Sequence, residues 1–433
     1  MNPKNLLAFP AYFLLLLPLQ AAIIGTNVSA LPLTAERIAL LPATQQPGWR
    51  SYLQNSQHQR QVDQDFLMAE MVAHGLKQAT LPQGVHNANG LSLNQPAAYY
   101  TEPERRQIAD IVVSFQTPAG GWSKNTDFSR ACRAPGELFG AENGSLFLGT
   151  NDFDRPHDGS WNYVGTFDND ATTTELRFLA RVITANGTNA GKAWQVAFEH
   201  GLNYIFSAQY PNGGWPQVWP LQGGYHDAIT INDGAMLHVV AFLSEVAGGA
   251  DDFSFVPPAL RRRAERSWRL GLDCLLKAQI TVNGKPTVWC QQHDPLTLAP
   301  VSARNFEMPA ATSAESAEIV MFLMQLSQPD AREVAAVQAA AAWFTQTQIT
   351  GKAFTGTGKE GKKLIDDPGH APIWSRFYEI GTDRPIFGDR DKTIHDDVNE
   401  ISKERRKGYG WYRDTPKRLL EHYRRWAKEH PPA

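Results

Sequence analysis

Two short polar segments contain the side chains best suited to bind a cation. Asp168, Asn169 and Asp170 are consecutive and precede a predicted helix, and Asn232 and Asp233 precede another. A helix N-cap needs only one such residue, whereas here carboxylates and amides crowd together. Hard oxygen ligands of this kind suit Ca²⁺. If both helices begin at the same rim of the fold, we expect Asp168, Asn169 and Asp233 to meet around one ion; simple capping is the alternative.

A second set of residues could bind an anion. Arg304, Arg376 and Arg390 each lie near aromatic residues in predicted loops, and Lys124 directly follows a Gly-Gly-Trp sequence. The planar guanidinium group matches a carboxylate with two parallel hydrogen bonds. These residues therefore indicate an anionic ligand, although ordinary ion pairs that hold loops in place remain an equal alternative.

A repeated punctuation indicates the architecture. The pattern Gln-x-x-x-Gly-Gly-Trp occurs at 116–122 and 209–215, with degenerate copies at 279–289 and 346–351. Each copy ends a predicted helix, as expected if helix pairs are added around a ring. Glycine permits the turn that ends a helix, and tryptophan can cover the helix end. Sugar stacking on these tryptophans is the alternative role.

Helical periodicity dominates the chain. Two long segments without this period, 123–165 and 366–412, are rich in aromatic residues, which favours functional loops over disorder. The predicted helices span 62–78, 102–115, 172–185, 191–208, 233–247, 259–278, 313–327, 331–348 and 416–428.

The first thirty residues are typical of a secretory signal peptide. Lys4 precedes an apolar run that ends in small residues, which predicts a cut after Ala30 and a single catalytic domain at 31–433. A retained anchor is the alternative, but Pro18 and Gln20 interrupt the run. We expect a secreted monomer that has no membrane contact after the signal peptide is removed.

Composition and missing motifs narrow the function. A net charge of −3 argues against nucleic acid as a partner. Familiar signatures of serine hydrolases, zinc proteases, nucleotide triphosphatases and dinucleotide-binding enzymes are missing from the sequence. Three cysteines are too few for a disulfide scaffold; Cys274 and Cys290 could pair or remain buried thiols.

Several longer stretches, taken together, resemble the pectate lyases of polysaccharide lyase family 10. The similarity extends over about residues 105 to 412 and is carried by GGWSKN, TFDNDATTTELRFLARV, GLNYIFSAQYPNGGWPQ, HDAITINDGAM, ARNFEMP and WSRFYEIGTDRPIFGDRDKTI. It implies a mainly α-helical fold, an incomplete α/α toroid with a substrate groove across one face. It also implies Ca²⁺-dependent cleavage of polygalacturonate by anti β-elimination, which leaves a 4,5-unsaturated sugar.

The resemblance also implies residue roles. Arg304 would be the base that removes the C5 proton, and a free guanidinium is a poor base at ordinary pH. Nearby Ca²⁺ and arginines are expected to lower the pKa of Arg304 and to favour alkaline conditions. The Ca²⁺ ligands would be Asp168, Asn169 and Asp233, and the substrate-binding residues would be Lys124, Asp170, Arg376, Tyr378 and Arg390. At position 170 the family often has Gly.

Three other functions remain open at the level of sequence. A glycoside hydrolase on a related toroid could use Glu307 and Asp233 as acid and base. A secreted protein without catalytic activity could bind uronates through the same arginines. Terpene cyclases also use Gln, Gly and Trp punctuation, but polar, arginine-rich loops fit an apolar cyclase cavity poorly.

Overall fold

The computed structural model describes residues 23–82, 84, 90–141, 152–153, 164–187 and 191–431. Much of the predicted loop 123–165 therefore lies outside the described residues, as do residues 1–22 of the predicted signal peptide. Within the described ranges, no helix has both the length and the apolar character needed to cross a bilayer.

Helices form most of the regular structure, and most agree with the predicted spans. The first long helix begins sixteen residues earlier than predicted, at Gln46 rather than residue 62, because its N-terminal half has few apolar residues. The helices are α1 (Ala35–Ala39), α2 (Gln46–Ala73), α3 (Pro103–Ser114), α4 (Thr173–Asn186), α5 (Lys192–Ala208), α6 (Ala235–Gly248), α7 (Pro258–Lys277), α8 (Ala314–Leu323), α9 (Ala331–Gln346), α10 (Lys403–Gly408) and α11 (Thr415–Trp426).

These helices pack as pairs that follow one another around an arc. The pairs are α4 with α5, α6 with α7 and α8 with α9, and further contacts join α3 to α5, α4 to α6, and α7 to α9. α11 closes against α8 and α9. This arrangement confirms the predicted mainly α-helical, incomplete α/α toroid.

The repeated glutamines and tryptophans hold this arc together. Gln209 Nε2 donates to the Gly213 carbonyl in its own turn and to the Ser267 carbonyl in α7, both at 2.9 Å. Gln116 makes the same two contacts to its own turn and to α5. The Trp215 indole N–H donates to the Ile205 carbonyl at 2.9 Å and so covers the helix end.

The burial of the repeated tryptophans indicates their role. Trp122, Trp215 and Trp289 are all 0% exposed and belong to the main hydrophobic core. Sugar stacking on these three residues is therefore wrong; they are structural. Cys274 and Cys290 are both buried free thiols, so the disulfide alternative is not realised.

Short strands connect the helices on the loop side. They are β1 (Ile23–Thr26), β2 (Gly165–Thr166), β3 (Val218–Trp219), β4 (Ile229–Thr230), β5 (Thr281–Val282), β6 (Lys285–Pro286), β7 (Gln292–His293), β8 (Pro300–Val301), β9 (Ala311–Thr312), β10 (Lys352–Thr355), β11 (Lys363–Asp366), β12 (Trp374–Ser375), β13 (Phe377–Tyr378), β14 (Phe387–Gly388), β15 (Thr393–His395) and β16 (Tyr412–Arg413). They form two- and three-stranded sheets, including β1–β15–β14 and β4–β7–β8. The loop 366–412 is therefore an ordered segment.

Residues just before the predicted cleavage point form a short strand. β1 pairs antiparallel with β15, with Ile23 opposite His395 and Thr26 opposite Thr393. A cut after Ala30 would remove this strand, and the position of the cut stays a prediction.

Candidate functional site

Two strained turns lie directly before α4 and α6. Asn169 and Asp170 have φ angles of 52° and 61°, and Asp233 has a φ of 49°. Thr172 also adopts a positive φ, 68°, which is unusual for a β-branched residue. Such backbone conformations cost about 1–3 kcal/mol per residue and cluster at functional sites. Helix capping alone does not explain this strain, so the two turns are candidates for a functional role.

The two turns pack against each other, as expected from the sequence. Asp168 is buried, while the side chain of Asp233 is 48% exposed. Burial raises the pKa of Asp233, Arg376 opposes this effect, and the carboxylates of Asp168, Glu315 and Glu307 reinforce it. Negative charge is therefore concentrated where the two turns meet.

Lys124 joins this cluster. Its Nζ forms an ion pair with Asp168 Oδ2. Burial by itself would raise the pKa of Asp168, but the charge of Lys124 outweighs it, with a further contribution from Arg304, so the pKa lies below its ordinary value. Asp168 is consequently held as a carboxylate between two cationic residues.

Asn169 and Asp170 lie at the exposed edge of the first turn. Asn169 is exposed, and Asp170 Oδ1 forms an ion pair with His238 Nδ1 on α6. The hydrogen bond that His238 donates to Asp170 raises the pKa of His238. Asp170 thus links the turn before α4 to α6, and its side chain is exposed.

Arg376 is buried behind the second turn. Its Nη2 donates to Glu315 Oε1 at 2.5 Å and to Asn232 Oδ1 at 3.0 Å, and lies 3.7 Å from Asp233 Oδ1. The side chain is only 6% exposed. Arg376 therefore supports the turn at Asn232 and Asp233 from below and adds positive charge to the site.

Arg304 is oriented by a carboxylate three residues further along its own loop. Its Nε donates to Glu307 Oε2 at 2.7 Å and its Nη2 to Glu307 Oε1 at 2.5 Å. Burial by itself would lower the pKa of Arg304, but Glu307 outweighs it and raises the pKa well above its ordinary value. Glu307 therefore stabilises the guanidinium charge in this site, and the lowering of the pKa expected from Ca²⁺ and neighbouring arginines stays a prediction.

A ring of cations surrounds one aromatic side chain beside Arg304. The guanidinium carbons of Arg304, Arg390 and Arg405 lie 4.9, 5.3 and 4.2 Å from the centre of the Phe306 ring. Glu404 accepts hydrogen bonds from both Arg390 and Arg405. The structure therefore brings Arg390 close to Arg304, as the sequence-based assignment requires.

Tyr378 does not reach this surface. It is 1% exposed, and its hydroxyl accepts from the Ser375 backbone N–H and donates to the Thr347 carbonyl, both at 2.9 Å. Its ring packs against Trp343. The assignment of Tyr378 to substrate binding is corrected: this residue stabilises the fold behind the site.

Sequence reasoning missed several residues of the site. Glu307 was weighed only as a hydrolase acid, although its position three residues after Arg304 could have indicated an ion pair. Glu315 and Tyr409 gave no usable signal, because their partners Arg376 and Glu307 lie 61 and 102 residues away in the chain. Arg405 lies within the predicted loop 366–412, where no sequence pattern distinguished it from its neighbours.

The site residues include donors suited to a hard cation. Asp168 and Asp233 offer carboxylate oxygens and Asn169 an amide oxygen, which is the chemistry that Ca²⁺ prefers. The concentrated negative charge around Asp233 also favours a cation. No group of three or more His, Cys, Asp or Glu side chains in the described part of the chain is arranged to hold a metal ion by itself. The donor types therefore fit Ca²⁺, with a need for further oxygen ligands.

Comparisons with known proteins agree with this arrangement. A family model described as pectic acid lyase matches residues 116–420. Two similar solved structures are a Family 10 polysaccharide lyase from Cellvibrio cellulosa and an aspartate-to-alanine mutant of such an enzyme in complex with trigalacturonic acid. Each has 30% sequence identity and a TM-score of 0.63, covering 79% of this chain and 99% of the other. Among the curated proteins, none matches the chain significantly.

The family match and the similar solved structures show that this chain is an enzyme that acts on a polysaccharide, a carbon–oxygen lyase. More specifically, the chain belongs to the pectic acid lyase family and is a pectate lyase of polysaccharide lyase family 10.

Proposed function

We propose that this enzyme cleaves α-1,4-polygalacturonate by Ca²⁺-dependent anti β-elimination and releases 4,5-unsaturated oligogalacturonides. We also propose that it acts outside the cytoplasm, as a monomer, after export directed by its N-terminal apolar segment. The trigalacturonic acid in the similar Cellvibrio structure supports the choice of substrate.

One observation carries the proposal. The two strained turns, with Asp168 and Asp233, lie within electrostatic reach of three cationic side chains that the sequence places far apart: Lys124, Arg304 and Arg376. A polygalacturonate chain has a carboxylate on each sugar, so it suits a site that combines cationic groups with carboxylates able to bind a cation. The two turns and the three cationic side chains together have this composition.

The proposed chemistry assigns the proton transfer to Arg304. Its side chain, in the neutral guanidine form, would take the C5 proton and become a guanidinium. The electrons of the C–H bond would form the C4–C5 double bond, and the C4–oxygen bond would break. The leaving glycosidic oxygen would take a proton from water, and Arg304 would return its proton to the solvent. Removal of a proton next to a carboxylate requires that the developing charge be stabilised by cationic groups, and we assign this role to Lys124 and Arg376.

Ca²⁺ would be held by Asp168, Asn169 and Asp233, with remaining positions available to the substrate carboxylate. When bound, it would neutralise charge on that carboxylate and oppose the positive charge of Arg304. Lys124, which forms an ion pair with Asp168, and Arg376, close to Asp233, would keep both carboxylates ionised and oriented.

The contact between Arg304 and Glu307 shapes the proposed role. Glu307 engages Nε and Nη2, and within the described part of the chain Nη1 has no hydrogen bond. The Arg304 side chain is 35% exposed. We therefore assign Nη1 to the substrate side, with Glu307 fixing the plane of the guanidinium. The raised pKa in the ligand-free site predicts that turnover increases at alkaline pH.

The hydrolase alternative is less well supported. A glycosidase acid needs a raised pKa so that it can donate a proton. Burial would raise the pKa of Glu307, but Arg304 outweighs it and holds the pKa below its ordinary value. Glu307 therefore remains a carboxylate, which suits a partner of Arg304 and does not suit a general acid.

The test is to follow ultraviolet absorbance of the conjugated double bond when the enzyme meets polygalacturonate with Ca²⁺, then with a chelator. We expect an increase that the chelator stops. New reducing ends without absorbance would instead show hydrolysis, and binding without either product would show a non-catalytic uronate-binding protein.

A further inference from the structure

The segment 23–30, which includes β1, lies between two loops of the site. β1 pairs with β15, and the Asn27 backbone N–H donates to the Lys392 carbonyl at 2.8 Å. Lys392 lies two residues after Arg390, on the turn between β14 and β15. The segment is therefore anchored to the stretch of chain that positions Arg390.

The Asn27 side chain reaches the other loop, which contains Arg304. It is 4% exposed, and its Nδ2 donates to the Arg304 carbonyl at 3.2 Å and to the Asn305 carbonyl at 3.0 Å. Its Oδ1 accepts from the Val28 N–H at 3.0 Å. Both donors of the amide thus bind consecutive carbonyls of the site loop, a geometry that few other side chains can provide.

These contacts act on the turn that presents Arg304. The Arg304 carbonyl also accepts from the Glu307 N–H at 2.8 Å, which closes the turn. The Asn305 side chain donates to the Arg390 carbonyl at 2.8 Å. Asn27 and Asn305 together therefore connect Arg304, Glu307 and Arg390 through backbone carbonyls.

Further contacts keep the segment in place on the same loop. Ser302 Oγ donates to the Val28 carbonyl, and Ala30 packs against Tyr225 and Ala303 in a small apolar cluster. The segment thus contacts residues 302, 303, 304 and 305 in succession, on the buried side of the Arg304 loop.

We propose that Asn27 is a positioning residue for Arg304 and that residues 23–30 belong to the working enzyme. This inference rests on the proposed role of Arg304 as base. Because misplacement of a reacting group by about 1 Å can cost about 100-fold in rate, a loop released from Asn27 would present the guanidinium poorly. Substrate binding by Lys124 and Arg376 would change less, since Asp168 binds Lys124 and Glu315 and Asn232 hold Arg376.

The first experiment compares Asn27→Ala and Asn27→Asp with Val28→Ala. The Asp variant keeps the acceptor for the Val28 N–H and loses the two donated bonds, whereas Val28 is 75% exposed and contacts the loop through its backbone. We expect kcat per folded molecule to fall roughly 10- to 100-fold in both Asn27 variants, with KM within about threefold of wild type. Val28→Ala should match wild type in both parameters.

Circular dichroism measures the folded fraction of each variant. A loss of rate that is caused only by unfolding would disappear when kcat is divided by this fraction. Wild-type kcat in both Asn27 variants would overturn the inference. Arg304→Ala is measured alongside: if it retains turnover, the proposed function fails; if it is inactive while both Asn27 variants are normal, only the present inference fails.

A second measurement does not depend on the variants folding. The full chain is expressed in a secreting host, and the intact mass of the recovered protein gives its N-terminus. We expect an active protein that still contains Ile23 to Ala30. A fully active product beginning at Leu31 would overturn the inference.

Discussion

At the scale of residues, the site is a set of coupled ion pairs. Lys124 holds Asp168, Glu315 holds Arg376, and Glu307 holds Arg304 through two hydrogen bonds. Each pair fixes the charge and the orientation of a group that the proposed elimination needs. The pair of Arg304 and Glu307 matters most, because it sets how readily the proposed base loses its proton.

Glu307→Gln should move the rising limb of the pH–kcat profile to lower pH. Charge-assisted hydrogen bonds contribute about 1.5–3 kcal/mol, and 1.36 kcal/mol corresponds to about one pKa unit, so we expect a shift of about one unit or more. The sign follows because Glu307 stabilises the protonated guanidinium. We also expect a lower maximal kcat, since the guanidinium loses its orientation.

The control is Glu404→Gln, which affects Arg390 and Arg405 but not Arg304. Its rising limb should stay at the wild-type pH. An unshifted limb in Glu307→Gln would contradict the account of Arg304 as the titrating base.

At the scale of elements, more of the structure could be predicted from the repeated Gln, Gly and Trp residues than from the sequences of the loops. Gln209 and Trp215 could be assigned to helix ends from sequence, because glycine turns and tryptophan covers act locally. The meeting of Asp168 and Asp233 also followed, once both turns were placed at helix starts. The burial of Tyr378, the partner of Arg376 and the contacts of Asn27 did not follow, since they depend on pairing between distant loops that no local pattern encodes.

Gln209→Ala should destabilise the fold. The substitution removes the hydrogen bonds to the Gly213 and Ser267 carbonyls and the bond that the Ser267 hydroxyl donates to Gln209 Oε1. We expect the free energy of unfolding to fall by roughly 1–3 kcal/mol, measured by urea denaturation. Gln348→Ala, which loses one exposed bond to the Thr345 carbonyl, is the matched control and should change stability little; equal stability of the two variants would contradict the structural role of the repeat.

At the scale of the whole molecule, stability depends on pH through buried carboxyl groups away from the site. Asp63 in α2 is 0% exposed, and burial raises its pKa to about 7. In the unfolded chain the same group titrates near 3.8. Between these values the folded protein keeps a proton that the unfolded chain has lost, so stability falls as pH rises through this window and stays lower above it.

Asp63→Asn should therefore stabilise the protein at about pH 9 and change little at about pH 4. The shift in pKa sets an upper bound of about 4 kcal/mol for the gain in free energy of unfolding. Thermal unfolding at both pH values measures it.

The chain offers a close control for this substitution. Gln61 donates to Asp65 at 2.8 Å, as Gln59 donates to Asp63, but Asp65 is exposed. Asp65→Asn should change the melting temperature little, because this side chain is exposed. An equal response of the two variants would contradict the burial argument.

The central claim is that Arg304 removes the C5 proton of galacturonate. The most direct measurement is the initial rate of conjugated double-bond formation from polygalacturonate with Ca²⁺, for the wild type and for Arg304→Ala, with the folded state of both confirmed by circular dichroism. The account predicts absorbance growth for the wild type and none above background for the folded variant. Wild-type-like product formation by Arg304→Ala would contradict it and assign the proton transfer to another group.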